Sequence, residues 1–90
     1  MAKERRIDAR ELEPPEPLEL ALRSAHDLQA GEYLRMLHRR EPYPLYRLLR
    51  EEGFHYSSRP GPECPFEILI WRPDDEEAVA AVQRLIEPDA

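Results

Sequence analysis

Three prolines fall within four residues at Pro14, Pro15 and Pro17, between a short strand-like run and a long helical one. Proline fixes φ near the helical value and donates no N–H, so it breaks strand and helix interiors yet fits the first turn of a helix. The knot therefore marks a strand-to-helix junction. Six of the seven remaining prolines punctuate the chain in the same way. Pro42 and Pro44 stiffen a loop, Pro60, Pro62 and Pro65 exclude regular pairing from a turn, and Pro73 stops a strand.

Between these breaks the periodicity is legible. "RIDA" is a short strand with Ile7 and Ala9 on one side and Asp8 on the other, and residues 1–5 are expected to be loose. Leu18, Ala21, Leu22, Ala25 and Leu28 recur at three- and four-residue steps, which predicts a helix over 16–29, with Gly31 beyond its end. Glu16 and Glu19 suit the positive end of its dipole. "EYLRMLH" is a strand with Leu34 and Met36 on one face and Tyr33, Arg35 and Leu37 on the other. A short helix over 44–52 turns Leu45, Leu48 and Leu49 inward and ends at Gly53. Strands are expected over 54–59 and 66–71, the second apolar on both faces except at Glu67. Asp74 or Asp75 then caps a last helix with a Val79, Val82, Leu85 and Ile86 stripe.

The order β-α-β-α-β-β favours a parallel first pair of strands and an antiparallel last pair. The expected fold is α/β: a two-layer sandwich with a mixed four-stranded sheet over 6–72, plus a C-terminal helical extension over 74–87. Two helices cover one face. The other face carries Tyr33, Leu37, Leu69 and Trp71, too apolar to leave wet, and is covered by the terminal helix or by a second subunit as a homodimer.

Ninety residues hold one modest core. Thirteen basic against nineteen acidic groups give a net charge of -6, which repels phosphate backbones, so no nucleic-acid partner is expected. A single cysteine, Cys64, excludes an internal disulfide and fits a reducing compartment. No apolar run approaches membrane-spanning length and the first ten residues hold no signal-like segment, so the expectation is a cytoplasmic protein with no membrane partner.

The run "IDARELEPPEPL" resembles the "LDxRGLxCPxPV" motif that precedes a helix in the TusA/SirA sulfur-carrier family; Ile7, Asp8, Arg10, Leu12, Pro15, Pro17 and Leu18 match. More closely, "LEPPEPL" together with "HRREPYPLYRLL" resembles a cysteine-free sister family of unknown function, over residues 6–72. The resemblance implies the β-α-β-α-β-β fold. It also implies that Pro14 stands where the carriers place the thiol whose pKa the helix start lowers. Proline offers no nucleophile, so sulfur is not carried at this residue. Relatives of the sister family tend to occur beside or fused to redox and metalloprotein domains.

If the first two strands are parallel neighbours, the loops 12–17 and 38–44 share one edge of the sheet, where ligands of open α/β sheets usually bind. They gather Glu13, Glu16, His38, Arg39, Arg40, Glu41, Tyr43 and Tyr46, on a frame of Pro14, Pro15, Pro17, Pro42 and Pro44. Arginines and a helix start can hold a small anion. Each residue also has a plainer role: His38 bonding a carbonyl, the arginines solvated or paired with glutamates, and the tyrosines half-buried packing groups. His38 and Glu41 alone make a weak metal signal, and no metal or cofactor is expected. The expectation is thus a non-catalytic module binding an unknown protein or a small anionic ligand, accessory to redox or metalloprotein metabolism. The alternatives are a small enzyme using His38 with Tyr43 or Glu41, and sulfur handling through Cys64, a thiol in a proline-bound turn with no local base.

Overall fold

The computed structural model describes residues 2–86. Its elements are β1 (Lys3–Asp8), α1 (Glu16–His26), β2 (Glu32–His38), α2 (Tyr43–Glu51), β3 (His55–Arg59), β4 (Phe66–Trp71) and α3 (Glu76–Ile86). The sheet order is β1-β2-β4-β3, with β1 parallel to β2 and β4 antiparallel to both β2 and β3. The expected α/β sandwich with a mixed four-stranded sheet is what forms. Strands β1, β2 and β3 run one way and β4 the other, so the three C-terminal strand ends and the start of β4 lie at one edge.

The first strand starts earlier than expected. Residues 3–5 are not loose: Lys3 N–H donates to the Gly31 carbonyl at 2.9 Å, and Glu4 and Arg5 pair in register with Tyr33 and Leu34. Their side chains are exposed and charged, so pairing rests on the backbone and on cross-strand ions such as Glu4–Arg35 at 2.8 Å. Hydrophobic alternation cannot reveal such a strand. Charges along this edge also discourage pairing with another chain.

Helix α1 ends at His26, three residues short of the expected end. Asp27 caps it, and Arg72 donates to the His26 carbonyl at 3.0 Å and to the Leu28 carbonyl, satisfying acceptors left over at the helix end. Leu28 is still buried, on a turn rather than on the helix. At the end of α2, Gly53 takes φ +86; its N–H donates to Arg50 and that of Phe54 to Leu49, a Schellman pair that needs the left-handed glycine. Leu45, Leu49 and Tyr46 are the buried residues of α2, and Leu48 is only half-buried. Phe54 precedes β3 rather than starting it.

One core lies between the sheet and α1 and α2, around Leu34, Met36, Leu45, Leu49, Ile68 and Ile70. The second face is closed in cis by α3, whose Ala78 and Val82 pack on Tyr33 and Leu69, flanked by Ala81, Leu85 and Trp71. Val82 and Leu85 of the expected stripe face the sheet, whereas Ile86 is exposed, and Ala78 and Ala81 complete the face in place of Val79 and Ile86. Of the two candidate caps, Asp75 acts: Oδ1 accepts the Ala78 N–H at 3.1 Å and Oδ2 the Gly31 N–H at 2.7 Å. The last position of the expected 74–87 extension, residue 87, lies outside the described residues.

Candidate functional site

Parallel pairing of β1 and β2 brings the two proline-bearing loops together. Asp8 builds the first. Its Oδ1 accepts the Arg10 backbone N–H at 3.1 Å and Nε at 2.8 Å, and its Oδ2 accepts the guanidinium at 2.6 Å. This Asx-type turn lets the chain leave the sheet with Ala9 fully buried and bonded to the Leu37 carbonyl. The Arg10 guanidinium holds the Asp8 carboxyl at about 2, below its ordinary 3.8. The chain then passes through a cis Pro14–Pro15 bond into α1.

Between these loops lies a groove of about 340 Å³, within the range of small-ligand sites. Pro14, Pro15, Pro17 and Leu18 line one side; His38, Arg40, Glu41, Pro42, Pro44 and Leu45 line the other. A side recess of about 60 Å³ lies among Leu12, Glu13, Pro14, His38, Arg39 and Arg40.

The polar groups sit on one loop. His38 Nδ1 accepts the Arg39 backbone N–H at 2.9 Å, which assigns the ring proton to Nε2. Partial burial, with the charges of Arg39 and Arg40, lowers the His38 pKa, so the ring is neutral near pH 7. No hydrogen-bond partner for Nε2, and no ion pair for Arg40, occurs among the described residues. Glu41 is held from behind, where its Oε2 accepts the Tyr46 hydroxyl and, at 2.8 Å, the Ser58 hydroxyl. Burial and then the Glu41 carboxylate push the Tyr46 phenol well above its usual value, so it stays a donor. Tyr46 also stacks on Tyr56, with centroids 4.3 Å apart.

The structure therefore divides the candidate residues. His38, Arg40 and Glu41 meet the five prolines in the groove. Glu13 reaches only the recess, 3.7 Å from Arg39. Glu16 is exposed on the first turn of α1. Tyr46 is buried behind the groove, and Tyr43 is 70% exposed, edge-on to Tyr46 and absent from the lining. His38 and Tyr43 thus do not share a pocket.

The helix starts also differ from the expectation. In α1 the Glu16 N–H bonds Glu13, the Glu19 N–H bonds Pro15, and Pro17 has none. In α2 the Tyr43 N–H bonds Glu41, those of Leu45 and Tyr46 bond Pro42, and Pro44 has none. The prolines and these turns consume nearly every donor that an anion would need.

Sequence reasoning missed Ser58 and Tyr56, which reach the site from β3, a strand distant in sequence. It also left Glu67 without partners. This carboxylate is 2% exposed, and its Oε1 accepts Arg35 at 3.0 Å and Arg59 at 3.0 and 3.1 Å. As the one charged residue in "FEILIW", it was the signal that a partner had to exist. Cys64 is buried in the β3–β4 turn, its thiol donating to the Phe66 carbonyl at 3.0 Å, outside the groove lining. Among the described residues no three metal-ligating side chains converge, and no helix is long and apolar enough to cross a membrane.

No curated protein and no solved structure matches the chain. Residues 6–72 match a family described as an uncharacterized conserved protein, DUF2249, a span that runs from the second half of β1 through β4, takes in both proline bends and leaves α3 outside. The chain belongs to that family.

Proposed function

We propose that this protein is a non-catalytic binding module, and that its groove receives a ligand with an apolar body and a polar end. The observation that carries this is the convergence of the Pro14–Pro17 and Pro42–Pro44 bends around a space of about 340 Å³, with His38 Nε2–H and Arg40 on its wall and without partners among the described residues. Rigid proline walls lose little entropy when a ligand binds. The lining holds no hydroxyl, thiol or amine nucleophile. Pro14 at the position where the similar sulfur carriers hold their cysteine fits a scaffold that kept the site's shape and lost its chemistry. A role beside redox or metalloproteins is consistent with the company kept by relatives of the sister family.

The small-enzyme alternative keeps His38 and Glu41 and loses Tyr43. The sulfur alternative rests on a thiol that is buried and already bonded to a carbonyl. Native mass spectrometry of the protein isolated from its host's lysate tests the proposal. A small noncovalent adduct on the wild type that is lost in a His38→Ala, Arg40→Ala variant supports it. No adduct, or one retained by the variant, overturns it. A persulfide mass on Cys64 would favour sulfur handling.

A further inference from the structure

The polar end of the groove has a pattern that narrows the ligand class. It offers two donors, neutral His38 Nε2–H and the Arg40 guanidinium, and one acceptor, Glu41 Oε1, whose sister oxygen is occupied by Tyr46 and Ser58. Arg40 and Glu41 carry opposite charges on adjacent residues. Just outside, Arg39 faces Glu13. A simple anion therefore meets no net attraction, and the helix starts add almost no donors. A simple cation meets the same balance. A ligand bearing both charges on neighbouring atoms satisfies both groups at once, and each charge-assisted bond adds to the other. The rest of the groove, chiefly proline rings with half-buried Leu18, offers mostly apolar contact.

We propose that the groove binds a free apolar α-amino acid: carboxylate toward Arg40 and His38 Nε2–H, ammonium toward Glu41, side chain between the proline bends. It is the smallest common molecule with an apolar body and paired opposite charges on one carbon. This assignment rests on the binding-module reading and narrows it.

The test uses the wild-type chain and four probes: L-leucine, N-acetyl-L-leucine, which keeps only the carboxylate charge, L-leucinamide, which keeps only the ammonium, and glycine, which lacks the apolar body. Titrations are followed by amide chemical shifts of the non-proline residues between 38 and 46. L-Leucine shifts these resonances saturably, and each of the other three binds at least about tenfold more weakly, equivalent to about 1.4 kcal/mol. In Glu41→Gln the preference for L-leucine over N-acetyl-L-leucine collapses. Equal or tighter binding of N-acetyl-L-leucine overturns the assignment in favour of a carboxylate ligand or a peptide C-terminus. Equal or tighter binding of L-leucinamide overturns it in favour of an amine or a peptide N-terminus. No shift with any probe overturns it as well. The lysate adduct is independent of these probes, so its presence or absence separates failure of this assignment from failure of the binding-module reading.

Discussion

The groove and the α3 face are both largely apolar surfaces built on one sheet, and they are finished in opposite ways. Under α3, Tyr33 and Leu69 are covered by Ala78 and Val82, and the buried Glu67 is matched by Arg35 and Arg59. Arg59 also donates to the Leu85 carbonyl at 2.7 Å, and Tyr33 to Glu4 at 2.9 Å, so the charge cluster ties the sheet to the helix. No buried side-chain polar atom lacks a partner among the described residues. At the groove, by contrast, Pro14, Pro15 and Pro44 are exposed beside half-buried Leu18 and Pro42, and His38 Nε2 and the Arg40 guanidinium find no partner among the described residues. A surface with every group matched holds a fold together, whereas rigid walls with spare donors are what the proposed binding role requires.

Three perturbations sharpen that contrast. The largest effect is expected under α3. Glu67→Ala leaves two arginines facing each other without their shared carboxylate and should cost about 3 kcal/mol in urea unfolding. A loss under about 1 kcal/mol would mean the cluster is not what anchors this face. Next, Gly31→Ala forces a side chain onto a residue at φ +82, with its Cβ about 3.2 Å from Glu77. It should cost about 1–2 kcal/mol by the same measurement, while lysate capture persists. The smallest effect concerns the turn that aims the first proline bend. The Asp8 pKa is lowered from 3.8 to about 2, so its contribution is complete above about pH 4 and is lost as pH falls toward 2. The stability difference between wild type and Asp8→Asn should shrink across that window in acid titrations, and a constant difference would show that the Asp8–Arg10 pairing does not contribute.

How much of this could be read from the sequence depends on what each feature rests on. Strand β2 showed plainly because Leu34 and Met36 alternate against Tyr33 and Leu37, and the joining of the two bends followed from strand–helix–strand logic. The start of β1 did not show, because its order comes from backbone bonds to β2 and its side chains are all charged. The early end of α1 was hidden in Arg72, 46 residues from the carbonyl it reaches. At the site, the loop residues were identified, but not where each one points. Tyr46 turns into the core because α2 places it beside Leu45 and Leu49 over Tyr56, which leaves Tyr43 outside. The loss of helix-start donors was present in the sequence as Pro17 and Pro44, yet the turns that consume the remaining N–H groups needed coordinates.

The most direct test of the central claim changes His38, Arg39 and Arg40 to alanine together and measures melting and lysate capture on the same preparation. A melting temperature within about 3 °C of wild type, with the captured small molecule lost, is the predicted result. A fall of about 10 °C or more, or a captured molecule that persists, would contradict it and make these side chains part of the framework.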